Sequence, residues 1–287
     1  MKTSFRIWTL MVSISALSLS FSSPLFAKSA HEEPMDAAHH AATPVHGAAC
    51  VGFGPQAPRD IDAVEGSNAR LFSFAPSKEQ MNLCNIHFHT HAEHKAKAFS
   101  IFAGAGEHGH GGGYQCAISQ SLSPEELTMP KENHCGGVKP GDTLEVHWVY
   151  TSCDVKPGKG LGSCLSEGCS NPNLRVESQV FAVVNDANAL DFDSMDYDGT
   201  VRNGYHQAKS IPDNTGTPVQ FLGSTTGPKY TEQSCSPMQV TWSVRPECAK
   251  IDITSLSRWC GENAFAEEHA HGVRTLVTNP ALLSTIP

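Results

Sequence analysis

Several absences narrow the reading of this 287-residue chain before any motif does. Basic residues are the minority, 20 Lys and Arg against 29 Asp and Glu, and they form no cluster. That balance excludes a nucleic-acid footprint and offers nothing to an anionic membrane surface. Beyond the N-terminal segment no apolar run is long enough to span a bilayer, so no stable membrane insertion is expected. No Cys-x-x-Cys occurs, which removes support for a zinc ribbon or a thioredoxin-like motif. Internal repeats are lacking. The glycine-rich stretch GEHGHGGGYQC (106–116) has no Lys-Ser/Thr after it, which rejects a phosphate loop there.

What is present begins with a leader. Lys2 and Arg6 precede a mostly apolar or small stretch over 7–22, and PLFA ends at Ala27. The run is short and Pro24 and Lys28 follow closely, so a cleaved signal peptide over 1–27 is expected, not an anchor. The chain then reads as exported, periplasmic or secreted. Its cysteines, at 50, 84, 116, 135, 153, 164, 169, 235, 248 and 260, are even in number and predict several disulfides, with the pairing open. Residues 28–48 carry His31, His39, His40 and His46 but few large apolar side chains. They read as a flexible linker, with a metal-collecting tail as the sharper alternative. Residues 49–287 read as a single domain.

Within it, short apolar runs (LFSF, CNIHFH, AFSIFAG, TLEVHWVY, SQVFAVV, VQFLG, MQVTWSV) are separated by Gly, Pro, Asn and Asp. The pattern predicts a mainly β fold with a few short helices and long loops. SPEEL (123–127) reads as a capped helical turn. DFDSMDYDG (191–199) lacks the spacing of a calcium loop and reads as solvated. EEHAHG (267–272) reads as an exposed helix end or turn, with a second ion site as the alternative.

The densest chemistry is CNIHFHTHAEH (84–94). On a strand, alternate side chains share a face. Asn85, His87, His89 and His91 then lie on one face, with Ile86 and Phe88 on the other. Imidazoles at i and i+2 are about 6.6 Å apart along the strand and can converge on one ion; a third at i+4 is too far without a bulge. The third ligand should come from elsewhere, and TLEVHWVY (143–150) offers it. Leu144, Val146, Trp148 and Tyr150 form its apolar face, and Glu145, His147 and Val149 the other. If the two strands are neighbours, His87, His89 and His147 make a three-histidine site with an open fourth position, the pattern of catalytic zinc. Glu145 can accept the second ring N–H of His147, and Asn85 that of His87.

These residues resemble carbonic anhydrase. NIHFH and LEVHW are similar to the Q-F-H-F-H strand and E-L-H-x-V-H-W segment of the alpha class. GPQAPRDID (54–62), AEH (92–94), GSTTGP (223–228) and VTW (240–242) resemble further stretches in the same order. The compressed HFHTHAEH, the extra cysteines and SQVFAVVND look closer to the delta class. The resemblance implies an alpha-carbonic-anhydrase-like central twisted sheet. It also implies reversible hydration of carbon dioxide to bicarbonate and a proton through a zinc-bound hydroxide. Zn2+ would sit on His87, His89 and His147, and Thr226 would accept from the hydroxide with Glu93 orienting it. Val149 and Trp242 would line the carbon dioxide pocket. Asn85 stands where the alpha class has glutamine, and a different gap makes Thr225 the gate. The proton-shuttle histidine has no clear counterpart, leaving His91, His94, His108, His110 and His134 as candidates. A homodimer is left open.

Two rivals are distinct in class. A cupin-type metal enzyme would use Glu93, four residues after His89, as a ligand, although the glycines that bracket that motif are absent. An exported metal-binding or metal-buffering protein would use the tail and HTHAEH to hold several weak ions.

Overall fold

The computed structural model describes residues 48–50, 52–106 and 112–287. The expected signal peptide, residues 28–47 of the expected linker, and His108 and His110 lie outside them.

The β pattern is real, and one sheet dominates. Five strands, β1 (Asn82–Thr90), β4 (Thr143–Thr151), β5 (Leu174–Val184), β8 (Val219–Ser224) and β9 (Gln239–Asp252), associate in the order β1-β4-β5-β9-β8. All neighbours are antiparallel except β5 and β9, so the sheet is mixed. Two minimal ribbons flank it: β2 (Ile101–Phe102) with β3 (Tyr114–Gln115), and β6 (Val201–Arg202) with β7 (Tyr205–His206).

Every residue of β4 is buried. Its even positions Leu144, Val146, Trp148 and Tyr150 enter one core with Ile86 and Phe88 of β1 and Phe181 of β5. That face is covered by α1 (Ile253–Gly261), which contributes Leu256 and Trp259. The helix starts where Asp252 caps the Ser255 amide at 2.9 Å. On the opposite face Val149 joins a second core with Val176, Val180, Phe221, Val240 and Trp242. Strands covered on both sides explain apolar runs as long as SQVFAVV.

Some expectations need correction. LFSF forms no strand; Leu71 and Phe74 are exposed. AFSIFAG supplies only the two residues of β2. SPEEL, by contrast, is the capped turn expected, with Ser123 N donating to Glu126 Oε2 (2.9 Å), Glu126 N to Ser123 Oγ (3.2 Å) and Leu127 N to Ser123 O (3.1 Å). DFDSMDYDG is not simply solvated: Phe192 and Met195 are fully buried against the α1 core, and Asp193 pairs with Arg258 at 2.7 Å. EEHAHG is neither helix end nor simple turn but runs extended beside β1, where His271 N donates to Phe88 O (2.9 Å) and Thr90 N to His271 O (3.0 Å).

All ten cysteines pair: Cys50–Cys235, Cys84–Cys164, Cys116–Cys248, Cys135–Cys260 and Cys153–Cys169. Five such bonds suit an oxidising compartment. Among the described residues no helix is long and apolar enough to cross a membrane.

Candidate metal centre

The centre is built from the polar faces of β1 and β4. Their antiparallel register sets His87 directly opposite His147 and His89 opposite Glu145. Ring centroids of His87, His89 and His147 are 4.8 to 5.1 Å apart, and one ligand nitrogen from each lies within 4.8 Å of the others.

Hydrogen bonds assign the tautomers. Asn85 Oδ1 accepts from His87 Nδ1 at 2.6 Å, and the Asn85 amide is itself oriented by donating to Gly158 O at 3.1 Å. Gly272 O accepts from His89 Nδ1 at 3.1 Å. Glu145 Oε1 accepts from His147 Nε2 at 2.9 Å. These bonds leave Nε2 of His87, Nε2 of His89 and Nδ1 of His147 as unprotonated nitrogens. His89 Nε2 is buried without a partner, and His87 Nε2 faces His147 Nδ1 at 3.3 Å. Two lone pairs so placed repel unless a cation lies between them. The edge of a tetrahedron with metal–nitrogen bonds of 2.0–2.1 Å is about 3.3–3.4 Å, so the donor set fits a tetrahedral metal ion.

Electrostatics agree with neutral ligands. Burial pushes His89 down to about 4. His87 falls well below the usual imidazole range through burial and then the neighbouring His147 and His89. Burial likewise lowers His147. For Glu145 burial alone would raise the carboxyl, but the charge of His94 and hydrogen bonds from His147 and His94 outweigh it and hold the group well below its usual range. Glu145, His94 and His147 also lie close enough to hold an ion. That group is better read as a hydrogen-bond network, because the Glu145 oxygens already accept five donors.

A narrow pocket of about 30 Å³, room for one or two water-sized molecules, opens beside His87 and His147. Val149, Leu174, Val176, Val240 and Trp242 line it, with Thr225 and Thr226 at its polar side. Trp242 is held by donating Nε1 to Ser224 O at 3.0 Å. Gly223 gives it space: a Cβ there would meet the indole at 2.8 Å. The Thr225 hydroxyl is committed to Ser236 Oγ at 2.5 Å, whereas among the described hydrogen bonds the Thr226 side chain makes none.

Other expected residues lie elsewhere. Glu93 does not bond Thr226 among the described contacts; its Oε1 accepts from the Arg274 amide at 3.0 Å and lies 3.6 Å from His89 Nδ1. Complete burial raises its carboxyl, and its Oε2 has no partner. His91 falls beyond the end of β1, with Nδ1 to Gly112 O at 3.0 Å and Nε2 to Gln115 at 3.3 Å. His94 is fully buried, bonded to Glu145 at 2.7 Å and packed 4.6 Å from Trp242, so it lacks the solvent access of a proton shuttle. His134 is exposed beside Gly261 and α1. Two residues were missed. His271 sits at the rim, its ring 5.7 Å from His87 and 5.9 Å from His89 and its side chain 44% exposed. Its hydrogen bond to Glu267 raises its pKa, outweighing partial burial, which lowers it. The other is Ser178, which donates to Glu145 Oε1 at 2.6 Å. The extra histidines of EEHAHG were the signal for the first; the second is one polar residue among several in the first half of β5.

A three-histidine centre at the head of an apolar pocket defines a metalloenzyme class. The delta carbonic anhydrase family profile matches residues 78–255, and the chain belongs to that family. It is therefore a carbonic anhydrase, an enzyme of carbon dioxide hydration, and carbonic anhydrases are metalloenzymes. No curated protein matches the sequence. Among solved structures, a hyperthermostable carbonic anhydrase from an active hydrothermal vent chimney is 14% identical, with a TM-score of 0.33, over 81% of this chain and 86% of that one. The alpha-carbonic anhydrase of Thermovibrio ammonificans, solved with sulfanilamide, is also 14% identical, with a TM-score of 0.25, over 76% and 83%. Likenesses that remote carry no weight for the site, and the family assignment rests on the profile.

Proposed function

We propose that the metal is zinc, held by His87 Nε2, His89 Nε2 and His147 Nδ1, and that the chain uses it to interconvert carbon dioxide and bicarbonate. The observation that carries this reading is the convergence of three deprotonated ring nitrogens, two of them 3.3 Å apart and the third buried without a partner. Zinc in such a site lowers the pKa of bound water to about 7 and so supplies hydroxide at neutral pH.

The chain's own groups then divide the work. Asn85, Gly272 O and Glu145 hold the three rings in their tautomers. Val149, Val240 and Trp242 offer uncharged carbon dioxide a dry surface beside the cluster. Thr226 is the gate hydroxyl; the lack of any partner for it among the described hydrogen bonds favours it over Thr225, which is bonded to Ser236. His271, exposed at the rim and anchored by Glu267 at 2.8 Å, is the imidazole suited to pass protons to solvent. With the leader and the disulfides, the enzyme works after export.

The deciding experiment is stopped-flow carbon dioxide hydration by the chain before and after zinc removal. Hydration that vanishes on stripping and returns with zinc supports the reading. Folded, zinc-loaded protein with no hydration overturns it, and full activity restored only by another metal overturns the zinc assignment.

A further inference from the structure

The Glu145 carboxylate is unusual in how completely it is held. It is fully buried and accepts five donors. The backbone amides of Glu93 and His94 reach Oε2 at 2.6 and 3.0 Å. His94 Nδ1, Ser178 Oγ and His147 Nε2 reach Oε1 at 2.7, 2.6 and 2.9 Å. A carboxylate offers about four lone-pair sites, and five donors crowd them here, three on Oε1, so there is no freedom to rotate and no room for a further donor. Four of the five donors are bound up with other tasks: two are main chain, His147 belongs to the cluster, and His94 fills space against Trp242 and Phe221. Ser178 is different. Its hydroxyl has no other partner among the described hydrogen bonds, and Glu145 is all it serves.

Its place in the sheet is fitted to that contact. Ser178 lies on β5 directly across from His147 of β4, between Glu177 and Gln179. The neighbouring β9 is irregular here, advancing from Val244 to Cys248 while β5 advances from Ser178 to Val180, so β5 itself runs regularly past the site. A hydroxyl buried at 1% exposure needs an acceptor; an alanine here would need none. From the geometry we infer that Ser178 is a positioning residue for the metal centre. Its O–H fixes Glu145, Glu145 fixes the His147 ring, and the ring directs Nδ1 to the metal. This rests on reading His147 as a ligand.

Zinc affinity, measured by competition with a chelator such as dipicolinate, tests the chain of contacts, with melting of the metal-free protein and the visible spectrum of the cobalt-substituted protein alongside. Ser178→Ala should weaken zinc binding by about 10- to 100-fold, the cost of losing a supporting hydrogen bond behind a ligand, and should alter the cobalt spectrum while the metal-free melting point stays put. Ser178→Thr, which keeps the hydroxyl, should bind zinc like the parent, and its isostere Ser178→Val should not. The Thr/Val pair decides the matter if Ser178→Ala folds poorly. Zinc affinity and cobalt spectrum equal in the Thr and Val variants would overturn the inference and leave the ligand reading intact. His147→Ala holding zinc as tightly as the parent would overturn both.

Discussion

The two faces of β4 show how one nine-residue strand does two jobs. Toward α1 it presents Leu144, Val146, Trp148 and Tyr150, dry and close-packed; toward the cluster it presents Glu145, His147 and Val149. The dry face needs only volume and shape. The other face holds a buried carboxylate and imidazole, tolerable only because each polar atom has a partner or faces the cluster. Substitutions on the two faces should therefore fail in different ways.

The largest separation comes from His147→Ala. Hydration activity and zinc should both be lost, by more than the roughly 100-fold that outer groups cost, while circular dichroism and metal-free melting change little; retained zinc in equilibrium dialysis would contradict the assignment of this face. Trp148→Ala should do the reverse. It should remove about 3–5 kcal/mol of stability, read as a lowered denaturation midpoint of the metal-free chain, with zinc stoichiometry preserved in whatever remains folded. A smaller effect is expected at Asn85→Ala, where zinc affinity should fall about 10- to 100-fold with no change in the midpoint. Equal midpoints and equal affinity would mean that the 2.6 Å contact to His87 positions nothing.

Acid offers the gentlest test. His89 titrates at about 4 in the fold against about 6.5 when unfolded, so between those values the unfolded chain holds more protons. Stability of the metal-free protein should then rise with pH across that window and be lost as pH falls through it. Burial lowers His87 and His147 in the same direction. Replacing His89 by glutamine should flatten that slope, and an unchanged slope would assign it to other groups.

Much of this was legible because strands write their faces into the sequence with period two. HFH and EVHW could be sorted into apolar and polar sides, and their juxtaposition followed once they were neighbours. His271 was hidden for the opposite reason. EEHAHG has no period, and its place beside β1 comes from backbone bonds to Phe88 and Thr90, some 180 residues away in sequence. Ser178 was hidden because it opens SQVFAVV between Glu177 and Gln179, where one more polar residue carries no sign of a buried contact. The Glu93–Thr226 pairing implied by resemblance is not among the described hydrogen bonds, where Glu93 Oε1 accepts from the Arg274 amide and Oε2 has no partner. LFSF misled because short aromatic runs look alike whether they enter a sheet or lie on a surface.

The cross-links carry a consequence for how the molecule is made. No disulfide joins two cysteines adjacent in sequence order; even Cys153 passes over Cys164 to reach Cys169. Cys50 must wait for Cys235, Cys116 for Cys248 and Cys135 for Cys260. A chain oxidised as it emerges would close wrong pairs first, so an oxidant alone yields scrambled protein, and the native map requires thiol exchange over seconds to hours. Refolding of the reduced chain should therefore recover native enzyme faster with a thiol-exchange catalyst than with an oxidant alone.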